Sequence, residues 1–150
     1  MTPDQIFSLA NLVAALSWLL LVALPRRSWV TGAVTRLAVP RLFAAAYVAI
    51  AALTFFGSDG SFSSLDGVAR LFENRWLLLA GWLHYLAFDL LIGTWQVLDS
   101  QQRGMPHLLV VPCLLLTFLF GPAGWLLYTV ISRWRYREVR IAATTSTALL

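Results

Sequence analysis

The chain has 150 residues, of which 59% are hydrophobic and only 12% charged, with a net charge of +4. A soluble domain carries about 25% charged residues, and a chain of this size still exposes about a third of its unfolded surface after folding. The composition therefore excludes an ordinary soluble domain and points to a protein solvated by lipid, with room for one small helical bundle and no second domain.

All eleven basic residues are arginine. They flank apolar stretches and form no separate basic domain, so the positive balance reads as attraction to anionic lipid headgroups, with no nucleic-acid partner. One cysteine, Cys113, excludes an intramolecular disulfide and a cysteine-rich metal site.

In chain order, the first apolar segment covers residues 6–24 and ends at Pro25, which does not continue a helix easily. Met1-Thr2-Pro3-Asp4 gives it no basic leader and no Ala-x-Ala cleavage site follows, so it is expected to be a retained membrane helix. Residues 25–38 read as a loop carrying Arg26, Arg27 and Arg36. The second span is expected over 39–56, with Pro40 in its first turn, where a missing N–H does no harm. Gly57-Ser58-Asp59-Gly60 is a turn composition. Ser63 and Asp66 then suggest a helix N-terminus, and Leu65, Val68, Ala69 and Phe72 follow at helical spacing. That pattern predicts a short interfacial helix before span three. Span three covers 76–98, and residues 99–107 form a tight polar turn in which His107 is placed to cap span four.

Span four is expected over 108–131, antiparallel to span three, and Gly121-Pro122-Ala123-Gly124 interrupts its middle. The expectation is a kinked span, with a re-entrant segment as the alternative. A full crossing leaves Arg26, Arg27, Arg36, Arg41 and Arg103 on one side. Arg70, Arg75, Arg133, Arg135, Arg137 and Arg140 then lie on the other, a balance that gives no orientation. Re-entry would move the basic tail to the first side. Residues 1–132 thus form a single all-α transmembrane domain, a four-helix bundle. Residues 133–150 form a basic and aromatic interfacial tail, frayed over 141–150.

Span three holds the residues that matter most. Asp89 and His84 lie deep in an apolar run, where an ionisable group costs roughly 2.5–3.5 kcal/mol. Helical spacing puts Asp89 on a stripe with Trp82, Tyr85, Gly93 and Gln96, and His84 on another with Phe88, Leu91 and Trp95. The two are about 140° apart around the helix and roughly 7.5 Å apart along it, so they can flank a site but cannot stack on one face. Counting back from the turn at 99–107 brings Thr117 to the level of Asp89, as a donor to it. Pro122 comes to the level of His84. Pro122 frees the Phe118 carbonyl, which an imidazole N–H could satisfy. Asn11 of span one lies at a similar depth. Asn11, His84, Asp89 and Thr117 are therefore candidates for one polar cluster, with Trp82, Tyr85, Phe88 and Trp95 lining an apolar groove.

The structural alternative is interhelical glue, at about 0.6 kcal/mol per hydrogen bond in membranes. Asp89 strains that reading, because a carboxyl there must be held neutral or paired with a cation. No metal set is expected among His84, Asp89, Asp99 and His107: the last two lie roughly 15 Å along the bundle from the first pair. The two histidines also exclude a histidine-rich di-iron oxygenase. Phosphate-loop, nucleophile-elbow and redox-cofactor signatures are absent, so no cofactor is expected. Chemistry here would be proton transfer on a lipophilic substrate.

The run from Gly81 through His84, Tyr85 and Asp89 to Trp95, the Gly104-Met105-Pro106-His107 turn, and the run from Pro112 through Thr117 to Gly124 resemble the abscisic-acid-deficient-four-like membrane proteins. Ile6-Phe7-Ser8-Leu9-Ala10-Asn11 is similar too, and the resemblance covers roughly residues 3–132. The plant member of that family is associated with neoxanthin synthesis, in which an epoxide end ring of violaxanthin becomes an allene; bacterial members are similar in sequence. The resemblance implies a cofactor-independent isomerase in a bacterial inner membrane acting on a carotenoid or other isoprenoid. Asp89 would be the general acid and His84 the proton acceptor. A non-catalytic lipid- or carotenoid-binding protein, or a helper subunit of a membrane enzyme, is the alternative. Ion transport is a weaker reading, because no further ionisable residues complete a relay and four spans are few without oligomerisation.

Overall fold

Thr2 and Gln5 open the first helix reciprocally. The Gln5 N–H donates to Thr2 Oγ1 at 3.3 Å, and the Thr2 N–H donates to Gln5 Oε1 at 2.9 Å. The computed structural model describes the backbone of residues 1–147 and the side chains of residues 1–135. Its helices are α1 (Pro3–Ala23), α2 (Trp29–Gly57), α3 (Leu65–Glu73), α4 (Arg75–Gln102), α5 (His107–Phe120) and α6 (Pro122–Thr147). There is no strand among the described residues. The all-α membrane class expected from composition is the class observed: α1, α2 and α4 are each long and apolar enough to cross a bilayer.

Helix α4 is central. Asn74 Oδ1 caps it, accepting from the Trp76 and Leu77 N–H groups. Helix α1 runs parallel to it, with Asp4 paired to Arg75 at one end and the Pro25 carbonyl accepting from Gln101 Nε2 at the other, 2.7 Å. Small residues allow close approach: Ala10 and Ala14 pack with Leu79, Leu83 and Leu86, and Trp18 lies over Gly93. Helix α2 runs the other way and contributes Phe43 to the same core. Helix α3 is the expected short helix, capped by Ser64 and packed with Phe72 against Gly81.

Two expectations are corrected. The loop over 25–38 is helical from Trp29, and Trp29–Ala38 is wound as a π-helix. That winding directs the Thr35 carbonyl toward residue 40, which is a proline and has no N–H. The Thr94 hydroxyl of α4, 2.8 Å from Leu90 O in its own helix, also reaches this carbonyl at 3.3 Å, so its one proton is shared between the two.

The second correction concerns the span over 108–131. Helix α5 has 14 residues, about 21 Å of helix against a hydrocarbon core of about 30 Å. It ends at Gly121, and α6 doubles back along it. A Cβ on Gly124 would lie 2.1 Å from the Thr117 nitrogen and 2.5 Å from the Cys113 oxygen, whereas a continuous helix would put residues 113 and 124 about 16 Å apart. Fully buried Tyr128 packs with Val110 and Cys113, and its hydroxyl donates to Asp99 Oδ2 at 2.6 Å. The chain thus folds back at Gly121 and does not run on as one kinked helix. Helix α6 also continues through Thr147, where a frayed end was expected from 141. The side chains of Tyr136 and Arg137, and residues 148–150, lie outside the described residues.

With Cys113 replaced by serine, single cysteines at Ser28 and Arg133 are expected to react with an impermeant maleimide from the same side of sealed vesicles, and one at Ser58 from the other. Shared labelling of positions 133 and 58 would mean that α6 crosses.

Candidate functional site

The α5–α6 turn has the backbone of a glycine position. Gly121 adopts φ 45° and ψ −98°, a conformation open to glycine and strained for any residue with a Cβ. Pro122 leaves the Phe118 carbonyl without its helical donor, and the Tyr85 hydroxyl donates to it at 3.4 Å. The Gly121 N–H donates to Thr117 O at 2.8 Å. The turn is thus stitched to the middle of α4.

Asp89 lies one turn beyond Tyr85 on the same face, and its carboxyl presses against Gly121, where a Cβ would come within 2.9 Å of Oδ1. Tyr85 is beside it. Asp89 Oδ2 is buried and has no hydrogen-bond partner. Toward the start of α4 the Trp82 ring follows Tyr85 at 5.3 Å and donates through Nε1 to Asn11 Oδ1 at 2.8 Å. Phe7 packs on Trp82 at 5.4 Å. Phe7, Leu78 and Trp82 line a groove of about 340 Å³ between α1 and α4, with the Asp4–Arg75 pair at its rim.

The structure therefore brings Asn11, Trp82, Tyr85 and Asp89 into one continuous array. It does not bring the other four expected residues there. His84 faces α2, edge-on to Tyr47 at 5.5 Å and stacked on Phe88 at 4.6 Å. Exposed Trp95 lies edge-on to Tyr128 at 5.4 Å. Thr117 is no donor to Asp89; it is fully buried, donates to Cys113 O at 2.8 Å and accepts from Gln96 Nε2 at 3.0 Å. Gln96 lies two turns along α4 from Asp89, and its amide N–H reaches the Thr117 hydroxyl that Asp89 does not. The Phe118 carbonyl is met by Tyr85 and not by His84, because His84 points to the other side of α4. His107 does not cap α5; its Nε2 is hydrogen-bonded to Val22 O at 3.0 Å and ties α5 to the end of α1.

Sequence reasoning named Gln96 only as a neighbour of Asp89 and gave Tyr128 no role. A polar residue at the helical spacing of Asp89 was the available signal for the first. For Tyr128 the sequence carried none, since its partner Asp99 is reached only through the fold-back. Among the described residues, no group of three or more His, Cys, Asp or Glu side chains comes together to hold a metal.

Three membrane-length helices and a folded-back hairpin, with a polar array at its tip, define an all-helical membrane protein. The chain matches the ABA DEFICIENT 4-like family over residues 5–128 and belongs to it. No curated protein and no solved structure matches the chain.

Gly121→Ala and Gly124→Ala are each expected to cost about 2 kcal/mol or more, because a methyl group meets a carboxyl or backbone with no room to move. Gly32→Ala, with nothing within 4 Å of its Cβ, serves as the control. Thermal unfolding in detergent measures all three; unchanged melting of Gly124→Ala would show that α5 and α6 do not touch there.

Proposed function

We propose that this protein is a membrane isomerase for an oxygenated isoprenoid, an epoxy-carotenoid being the fitting substrate, with Asp89 as the group that moves the proton. The observation carrying this is Asp89 Oδ2, buried and without a hydrogen-bond partner at the tip of the hairpin. A carboxyl kept only as glue would have its oxygens satisfied, as the Thr117 hydroxyl is, donating to Cys113 O and accepting from Gln96 Nε2. With no cation beside it at this depth, the neutral acid costs less than the carboxylate.

In this reading the ring end of the substrate reaches Asp89 along the groove of Phe7, Leu78 and Trp82. The carboxyl gives its proton to the epoxide oxygen, the bond from that oxygen to the ring carbon bearing the polyene breaks, and the oxygen stays on the other ring carbon as a hydroxyl. The cation left on carbon is delocalised into the polyene and faces the Trp82 and Tyr85 rings. The adjacent vinylic carbon then returns a proton to the Asp89 carboxylate, leaving an allene and a restored acid. One proton leaves and one comes back, so the product is an isomer and nothing is oxidised. This sequence uses Asp89 as both acid and base, because His84 faces a different groove.

A bacterial inner membrane suits the charge distribution. The fold-back of α6 supports placing Arg133, Arg135, Arg137 and Arg140 on the side of Arg26, Arg27, Arg36, Arg41 and Arg103, leaving Arg70 and Arg75 opposite. By the positive-inside rule the first side faces the cytoplasm.

The second reading is a non-catalytic carrier for the same pigment. It draws on Asp89 having, among the described residues, only Tyr85 beside it as a further proton-carrying group. Purified protein in lipid nanodiscs with an epoxy-carotenoid separates the two. Catalysis predicts an allenic product by chromatography and a loss of about a hundredfold or more in Asp89→Asn, with folding stability held. Bound pigment without product in the wild type would exclude the isomerase and support the carrier.

A further inference from the structure

Helix α4 presents one more polar side chain with nothing to bond. Trp82, Tyr85, Thr94, Gln96 and Ser100 all have hydrogen-bond partners. The His84 ring makes only aromatic contacts among the described residues, with Tyr47 and Phe88. An imidazole in lipid-facing surroundings carries one donor and one acceptor nitrogen, and hydrocarbon meets neither.

The space that His84 lines is built. Phe55 and Phe62 stack at 5.4 Å with 14° between their planes. The loop bearing Phe62 is fastened to α3: the Ser61 N–H donates to Gly67 O at 3.2 Å, and Gly60 and Gly67 have no room for a Cβ beside Leu71 and Ser61. Helix α3 is in turn seated on α4 through Phe72 and Gly81. These pieces border a pocket of about 280 Å³ between α2, α3 and α4, open on its outer side and lined by Tyr47, Phe55, Phe62, Phe72 and His84.

We propose that this pocket is a second ligand site, for a small isoprenoid alcohol whose hydroxyl pairs with the His84 imidazole. A hydroxyl both donates and accepts, so it can serve either ring nitrogen in either tautomer. The aromatic walls suit an unsaturated, methyl-branched chain. At about 280 Å³ the space sits at the lower edge of ligand cavities, roughly 300–1,000 Å³. It therefore admits a short prenyl chain and not a whole carotenoid. This site is independent of Asp89 and does not rest on the isomerase reading.

The probe is farnesol carrying a photoreactive diazirine, applied to the full chain in nanodiscs, with cross-links mapped by mass spectrometry. Labelling is expected within residues 47–84 on the faces of α2, α3 and α4. Unlabelled farnesol should suppress it about tenfold more effectively than farnesene, the hydrocarbon of the same skeleton, as expected for one hydrogen bond. His84→Phe should erase that difference. Ala51→Trp, which fills the pocket and leaves His84 in place, should abolish labelling. Asp89→Asn should change none of it. Equal competition by farnesene on the wild type would show a groove that takes any hydrocarbon chain and would overturn the proposal, as would labelling that persists in Ala51→Trp. Both variants are compared with wild type by elution profile, and the two act on different atoms, so misfolding of one leaves the other decisive.

Discussion

Lipid offers no hydrogen bonds, so a chain that reverses direction inside a bundle must bring its own partners for the backbone it breaks open. The α5–α6 turn is such a place, and much of the structure answers to it. Pro122 frees the Phe118 carbonyl and Tyr85 meets it. Gly124 lets α6 lie on the backbone of Cys113 and Thr117. Gln96 holds Thr117 from α4, and Asp99 holds Tyr128 in the second turn of α6. Three of the polar residues of α4, Tyr85, Gln96 and Asp99, are thereby accounted for by the hairpin. The same constraint acts at Pro40, where the Thr94 hydroxyl, shared with Leu90 O, reaches the Thr35 carbonyl that the proline cannot serve. What remains after this subtraction is Asp89 and His84, whose polar atoms close no backbone gap.

The helical class, the three membrane-length helices and the short helix before α4 were legible in the sequence, because they follow from hydropathy and local turn chemistry; the cap itself is Ser64, one residue after the expected Ser63. The array of Trp82, Tyr85 and Asp89 was legible for the same reason: spacing along one helix fixes which residues share a face. The return of α6 was not. A kinked span and a hairpin have the same apolar run, and the information that separates them lies in contacts between residues such as Gly124 and Cys113. The partner of Thr117 was missed likewise, since register between helices depends on turn geometry and tilt, which no count along the chain supplies. The π winding of Trp29–Ala38 leaves no periodicity that a 3.6-residue reading detects.

The hairpin also makes the bundle unequal along its depth. On the side of the 103–106 turn, α5 and α6 fill the space beside α4, and Val97, Val110 and Tyr128 are completely buried. Beyond Gly121 that filling ends. There the face of α4 carrying Leu78 and Trp82 meets only α1, while α2 and α3 cover its other sides, and Phe7, Leu78 and Trp82 border an open groove. Asp89 stands at the boundary between the packed half and the open half. A group in the packed half would be glue whatever its chemistry, and one far into the open half would be solvated by headgroups or water. Only at the boundary can a carboxyl be shielded from water on one side and met by an apolar ligand on the other. The position of the hairpin tip, set by Gly121 and Pro122, is therefore what gives Asp89 a different standing from Gln96, which lies on the same stripe two turns away.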